Sequence, residues 1–152
     1  MVDHSSHPRI VVTHDGRARF VAQVRSHQIV VDQTIGGGGE DSGAEPIELL
    51  GAALGTCVAY YITQFLNARR LSTEGLRVEV EQYGAQNPHR VGAFDVRVVL
   101  PDRFPDRYLE TVERVARSCP VHNTLARAAD VRVSLELPLE LGEALGSLPD
   151  RH

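Results

Sequence analysis

Glu45-Pro46-Ile47-Glu48-Leu49-Leu50-Gly51-Ala52-Ala53-Leu54-Gly55-Thr56-Cys57-Val58-Ala59-Tyr60-Tyr61-Ile62 is the stretch on which the rest of the chain turns. It reads as the first half of a helix that runs to about Arg70. Pro46 suits a first helical position, where its missing N–H would have no partner anyway. Leu50, Leu54, Cys57, Tyr61 and Phe65 recur at three- and four-residue steps, and Ile47, Val58, Ile62 and Leu66 widen the stripe. Gly51, Ala52, Ala53, Gly55 and Ala59 keep the remaining surface slim. A helix that is apolar on nearly every side belongs at the centre of a fold. At about 1.5 Å per residue it spans roughly 35–40 Å, the width of a small domain. Its glycines and its charged ends argue against a membrane span. Cys57 lies half-way along it, on the stripe that faces inward.

Around that helix the chain has the makings of one domain. It has 152 residues and ordinary hydrophobic content, enough for a real core. The net charge of −4 argues against nucleic acid or an anionic membrane as partner. Met1 to Pro8 carries no basic start followed by an apolar run, so a cytoplasmic location is expected. In a reducing compartment the two cysteines are not expected to form a structural staple. Residues 1–8 read as a frayed tail, 9–138 as the domain and 139–152 as a C-terminal tail.

Upstream of the helix, Ile10–Thr13, Arg19–Arg25 and Ile29–Asp32 read as a three-stranded meander, its first turn marked by Asp15-Gly16. Gly36–Gly39 invites a phosphate-loop reading. No Gly-Lys-Ser/Thr follows, and Glu40 and Asp41 do, so a connector for close backbone packing is the plainer account. Downstream, Arg69, Arg70 and Ser72–Gly75 end the helix. Leu76–Glu81 and Phe94–Leu100 alternate as a hairpin with one wet face, joined by a loop over 84–92. Tyr108–Cys119 is an amphipathic helix. Pro120 breaks it and starts a short last helix over Val121–Ala128. Val131–Leu137 alternates as a final strand. Strands cluster apart from helices, which is an α+β pattern. One small sheet cannot cover the first helix. A second sheet or a second copy must, and an intimate homodimer is expected.

The chemistry-bearing residues are few. Cys57 and Cys119 both lie on inward-facing helical stripes and could meet in the core. Buried cysteines often do no more than pack. A zinc site finds little support, because no Cys-x-x-Cys occurs and the seven histidines are scattered. The reactive reading is a redox pair, in which one thiolate attacks a peroxide and the second thiol condenses with the sulfenic acid. That chemistry needs a cation or a helix N-terminus near the attacking sulfur. Glu48 stands two and a half turns before Cys57. It is either the carboxylate that orients such a cation or a first-turn acid favoured by the helix dipole.

Two motifs now resemble a known family. Pro46–Cys57 is similar to the first signature of the OsmC/Ohr family (osmotically inducible protein C and organic hydroperoxide resistance protein), and Ser118-Cys119-Pro120-Val121-His122-Asn123-Thr124-Leu125 to the second. The Gly36–Gly43 loop and Arg90-Val91-Gly92 fit as well. The resemblance runs from about Val11 to Pro138. It implies two β-sheets wrapped around two central helices in an intertwined homodimer, with active sites at the subunit interface. It implies a peroxiredoxin-like organic hydroperoxide reductase without a cofactor. Cys57 would be the peroxidatic thiol and Cys119 the resolving thiol. An arginine from the N-terminal turn would stabilise the thiolate, with Arg17 the first candidate and Arg19 the second, held by a glutamate, here Glu48. It also implies a dithiol reductant, such as a lipoylated protein. One departure stands out. In the hydroperoxide-resistance branch the glutamate sits one position earlier, where this chain has Ile47. One residue is about 100° on a helix, so the sequence looks more like the broad OsmC-like branch. In that branch a non-catalytic protein that binds a small hydrophobic ligand in the interface cleft is the alternative.

Overall fold

In the computed structural model, residues 7–127 and 129–137 are described. The order is three strands, one long helix, two strands and two shorter helices. Strands β1 (Ile10–His14), β2 (Phe20–Val24) and β3 (His27–Val31) form an antiparallel meander. Val12 pairs with Ala22, and Ala22 with Ile29. Helix α1 covers Pro46–Ala68. Strands β4 (Arg77–Ala85) and β5 (Arg90–Val99) form a second antiparallel sheet. Helices α2 (Leu109–Arg117) and α3 (Pro120–Ala126) close the described fold. The α+β expectation holds. The hairpin strands run further into their loop than the alternation suggested, with a register shift between Tyr83 and Gly84.

α1 forms where its sequence says it should. Pro46 opens it, and a reciprocal pair closes its first turn: Glu45 accepts from the Glu48 N–H while Glu48 accepts from the Glu45 N–H. At the other end Arg70 takes φ +54°. The Leu71 N–H reaches the Leu66 carbonyl and the Arg70 N–H the Asn67 carbonyl, each at 3.0 Å. This is a Schellman stop with arginine where glycine is usual. Leu54, Val58, Ile62, Phe65 and Leu66 of α1 join Val112 of α2 and Cys119 as the buried core. α1 is apolar and long enough to cross a bilayer by length and composition alone. The residues at its centre instead form the protein core.

The second sheet seats directly on α1 through two glycines. A Cβ at Gly51 would stand 2.8 Å from the Gln82 amide nitrogen, and one at Gly55 would stand 3.0 Å from a Val80 methyl. These positions let β4 approach the helix. The first sheet scarcely touches α1. Ile10, Val12, Phe20, Ile29 and Val30 stay exposed.

The connector between β3 and α1 folds around Asp32. Its side chain is buried. It accepts from the backbone N–H groups of Gln33 (2.9 Å), Glu40 (3.1 Å) and Ser42 (3.1 Å), and from the Ser42 hydroxyl at 2.8 Å. Gly39 sits so close to the Gln33 carbonyl that any Cβ there would collide. Gly39 therefore serves close packing, while Gly38 supplies a positive φ of +87° and a Cβ at Gly36 would meet nothing.

One expectation fails. Val131–Leu137 alternates like a strand but runs irregularly, with Val131, Val133, Leu135 and Leu137 all more than four-fifths exposed. Alternation prepares two faces, but a strand also needs an edge to pair with. No described strand lies beside this one. The expected tail over 139–152 and residues 1–6 lie outside the described residues.

Candidate active site

The two thiols come from different elements. Cys57 sits on α1, half-buried beside the core. Cys119 is fully buried at the junction of α2 and α3. There α2 ends as the Ser118 hydroxyl donates to the Val115 carbonyl at 2.7 Å. Pro120 then opens α3 with Cys119 as its N-cap, in extended backbone conformation. The Cys119 sulfur takes the place of the usual capping oxygen and accepts from the His122 N–H at 3.2 Å. α1 packs against both α2 and α3, and this makes Cys57 and Cys119 neighbours in the core. Both are free thiols.

Burial pushes the Cys119 thiol up from its ordinary pKa. The His122 N–H pulls it down, the neighbouring Cys57 pushes it up again, and the Val121 N–H opposes. Burial and the neighbouring Cys57 thus favour the uncharged form of Cys119.

The charged residues expected at the site lie elsewhere in the chain. Glu48 is engaged in the first turn of α1, where its carboxylate accepts from the Glu45 N–H at 2.8 Å. Glu45 in turn accepts from the Thr34 N–H at 3.1 Å, which ties the helix start to the connector. Arg17, at φ +44°, pairs with Glu40 at 3.3 Å, and both side chains are exposed. Arg19 pairs with Asp15 at 3.0 Å. Within one chain, then, Cys57 and Cys119 come together, while Arg17 and Glu48 each have another partner. The capping-box role of Glu48 was half-visible as a first-turn acid, but a glutamate at the N-cap gives no usual signal.

Two cavities reach residues adjacent in sequence to Cys57, without being lined by either cysteine. A groove of about 530 Å³ lies between β5 and α2, lined by Val58, Phe94, Val96, Val98 and Leu109 and also by the charged Glu113 and Arg117 and by His122. His122 Nδ1 is buried there without a hydrogen-bond partner among the described residues. A second cleft of about 350 Å³ runs along the small residues of α1 from Glu48 to Ala59, opposite Val78, Val80 and Gln82. Sequence alternation marked these apolar residues as core, without showing that they would leave a groove open. Among the described residues no group of three or more His, Cys, Asp or Glu side chains could hold a metal ion.

The family model of the OsmC-like proteins matches residues 38–134, which takes in α1 with Cys57 and the Cys119-Pro120 junction. The chain belongs to the OsmC family. Among solved structures, a Psychrobacter arcticus protein assigned to osmotic stress and detoxification responses is similar with a TM-score of 0.72 at 21% identity, covering 81% of this chain and 91% of that one. An OsmC-like protein from Mycoplasma pneumoniae has a TM-score of 0.70 at 17% identity, over 82% and 90%. An organic hydroperoxide resistance protein OsmC from Legionella pneumophila has a TM-score of 0.54 at 19% identity, over 81% and 91%. At these identities the likeness carries the fold. No curated protein sequence matches.

Proposed function

We propose that this OsmC-family protein is a thiol peroxidase acting on organic hydroperoxides. One observation carries the reading. The two cysteines, from separate elements, are neighbours in a core that is otherwise apolar. The Cys57 sulfur attacks the terminal oxygen of the hydroperoxide and the O–O bond breaks. The alkoxide takes a proton and leaves as the alcohol, and Cys57 becomes a sulfenic acid. The Cys119 sulfur then attacks the Cys57 sulfur. Its proton leaves with the sulfenic hydroxyl as water, and a Cys57–Cys119 disulfide remains. An external dithiol, of the kind carried by lipoylated proteins, reopens the disulfide by exchange. The apolar part of the groove, formed by Val58, Phe94, Val96, Val98 and Leu109, favours greasy hydroperoxides over hydrogen peroxide.

The working unit in this proposal is an intertwined homodimer. Three sets of uncovered apolar side chains support it: those of the first sheet, Ile47 and Tyr60 on different sides of α1, and those of the unpaired Val131–Leu137 segment. A second copy would cover them and could bring an N-terminal turn, with Arg17, to the Cys57 of its partner. Cys57→Ser should abolish turnover of cumene hydroperoxide. Cys119→Ser should allow one oxidation and leave Cys57 over-oxidised. Full turnover in Cys57→Ser would defeat the assignment.

The engagement of Glu48 in the capping box favours a second reading. With Glu48 not free to hold an arginine, the protein would bind a small hydrophobic ligand without turning it over. Native mass spectrometry of the purified protein separates the two, because a retained lipophile that survives Cys57→Ser fits only the second.

A further inference from the structure

In the reduced chain the Cys119 sulfur also holds the start of α3. The backbone is extended at Cys119 (φ −68°, ψ 143°), and the sulfur accepts from the His122 N–H at 3.2 Å. The Asn123 N–H takes the Cys119 carbonyl at 3.0 Å. Pro120 has no N–H to offer. Both of these bonds that open α3 therefore end on Cys119. α3 is seven residues long, less than two full turns. So short a helix depends on its cap and its packing rather than on its own propensity.

His122 carries that dependence into the groove between β5 and α2, which it lines together with Val58, Phe94 and Leu109. Its ring is not anchored through Nδ1, which is buried without a hydrogen-bond partner among the described residues. The hydrogen bond that places the residue is the one from its backbone to the Cys119 sulfur.

A disulfide makes a different demand on the same sulfur. An S–S bond draws two sulfurs well inside nonbonded contact. Cys57 stands on α1, which runs for 23 residues and is fixed in the core by Leu54, Val58 and Ile62. Cys119 stands at the junction of two short helices. The shift that closes the bond therefore falls on Cys119. Its Sγ turns about a single torsion, and a turn towards α1 takes it off the first turn of α3.

We propose that this cap is a redox-sensitive catch: closing the Cys57–Cys119 disulfide takes the sulfur from the His122 N–H, loosens the start of α3 and frees the His122 wall of the groove. The proposal rests on the cysteine pairing of the proposed reaction and adds a conformational consequence to it. In the thiol form the wall is set while a hydroperoxide is held. In the disulfide form it yields, as the alcohol leaves and a dithiol enters.

Backbone amide exchange of the full-length protein, read by NMR, tests it. The disulfide is made with diamide, which takes up the two thiol hydrogens, so the test does not depend on turnover of a peroxide. In the disulfide form the His122 and Asn123 amides should exchange about tenfold faster than in the thiol form, the loss of one cap. The Ile62 amide in α1 should not speed up. Cys119→Ala removes the acceptor without oxidation and should reproduce the fast exchange at His122. Cys119→Ser keeps a capping oxygen, and diamide should leave its exchange at His122 slow. Unchanged or slower exchange at His122 in the disulfide form, slow exchange in Cys119→Ala, or failure of diamide to join the two cysteines would overturn the proposal. The expected exchange pattern in a protein inert to cumene hydroperoxide would count against the peroxidase alone and support the catch.

Discussion

Replacing Gly55 by alanine should cost stability, while the same change one turn earlier at Gly51 should not. Alanine is favoured over glycine in a helix interior by about 1 kcal/mol. That gain is common to both sites, so the neighbours decide the outcome. At Gly51 the new methyl would stand 2.8 Å from Gln82 Nε2 and 3.0 Å from its amide carbon. These atoms end a flexible side chain beside a cleft of about 350 Å³, and the amide can swing aside. At Gly55 the methyl would stand 3.0 Å from a Val80 methyl. Val80 is β-branched and stiff, and it pairs with Val96 in the sheet. Helix and strand must part by a few tenths of an ångström. Overpacking of this kind costs about 1–3 kcal/mol. Gly51→Ala should therefore gain up to about 1 kcal/mol, and Gly55→Ala should lose up to about 2 kcal/mol. The assay is urea unfolding followed by circular dichroism, at one fixed protein concentration because association would add its own stability. The two midpoints should move in opposite directions with similar slopes. Equal shifts, or the reverse order, would show that Gly55 does not set the spacing between α1 and β4.

Other expectations follow from individual side chains. Ile62 is fully buried among the core residues, so Ile62→Ala should cost about 2–5 kcal/mol in the same assay. Ser42, first through its backbone N–H, with Glu40 and Gln33 holds the Asp32 carboxyl below its ordinary 3.8 despite burial. A depressed folded pKa contributes stability above the unfolded value that is lost as pH falls through the folded one. Unfolding free energy should thus decline below about pH 4, and Asp32→Asn should flatten that decline while lowering stability at neutral pH. The Tyr83 hydroxyl donates to Glu81 at 2.6 Å. That bond, and then the carboxylate charge, push its phenol up to about 12. Ultraviolet titration of Glu81→Gln should move one of the four tyrosines back toward about 10.

Much of the fold was legible because its signals are periodic. Leu54, Val58, Ile62 and Phe65 repeat at the helical period, and the same residues form the core. Val78 and Val80 alternate and face α1 across its glycines. The Cys119-Pro120 break was legible because proline disfavours helix before it and starts one well. Val131–Leu137 shows the limit of periodicity, since alternation cannot name the neighbour that completes a ladder. Asp32 was missed for a different reason. An aspartate at a strand end looks like a turn residue, and its burial depends on a glycine-rich connector folding back over it. At the site, the meeting of Cys57 and Cys119 could be anticipated from two inward stripes. The partners of Arg17 and Glu48 could not, because they depend on how the connector and the first turn of α1 close locally.

The central claim is that Cys57 and Cys119 are a working redox pair, and intact mass tests it most directly. The reduced protein would receive one equivalent of cumene hydroperoxide, with hydrogen peroxide in parallel. Rapid loss of two hydrogens, mapped to a Cys57–Cys119 disulfide and faster with cumene hydroperoxide, is the predicted result. An unchanged mass over minutes, or oxidation at Cys57 that never passes to Cys119, would contradict it.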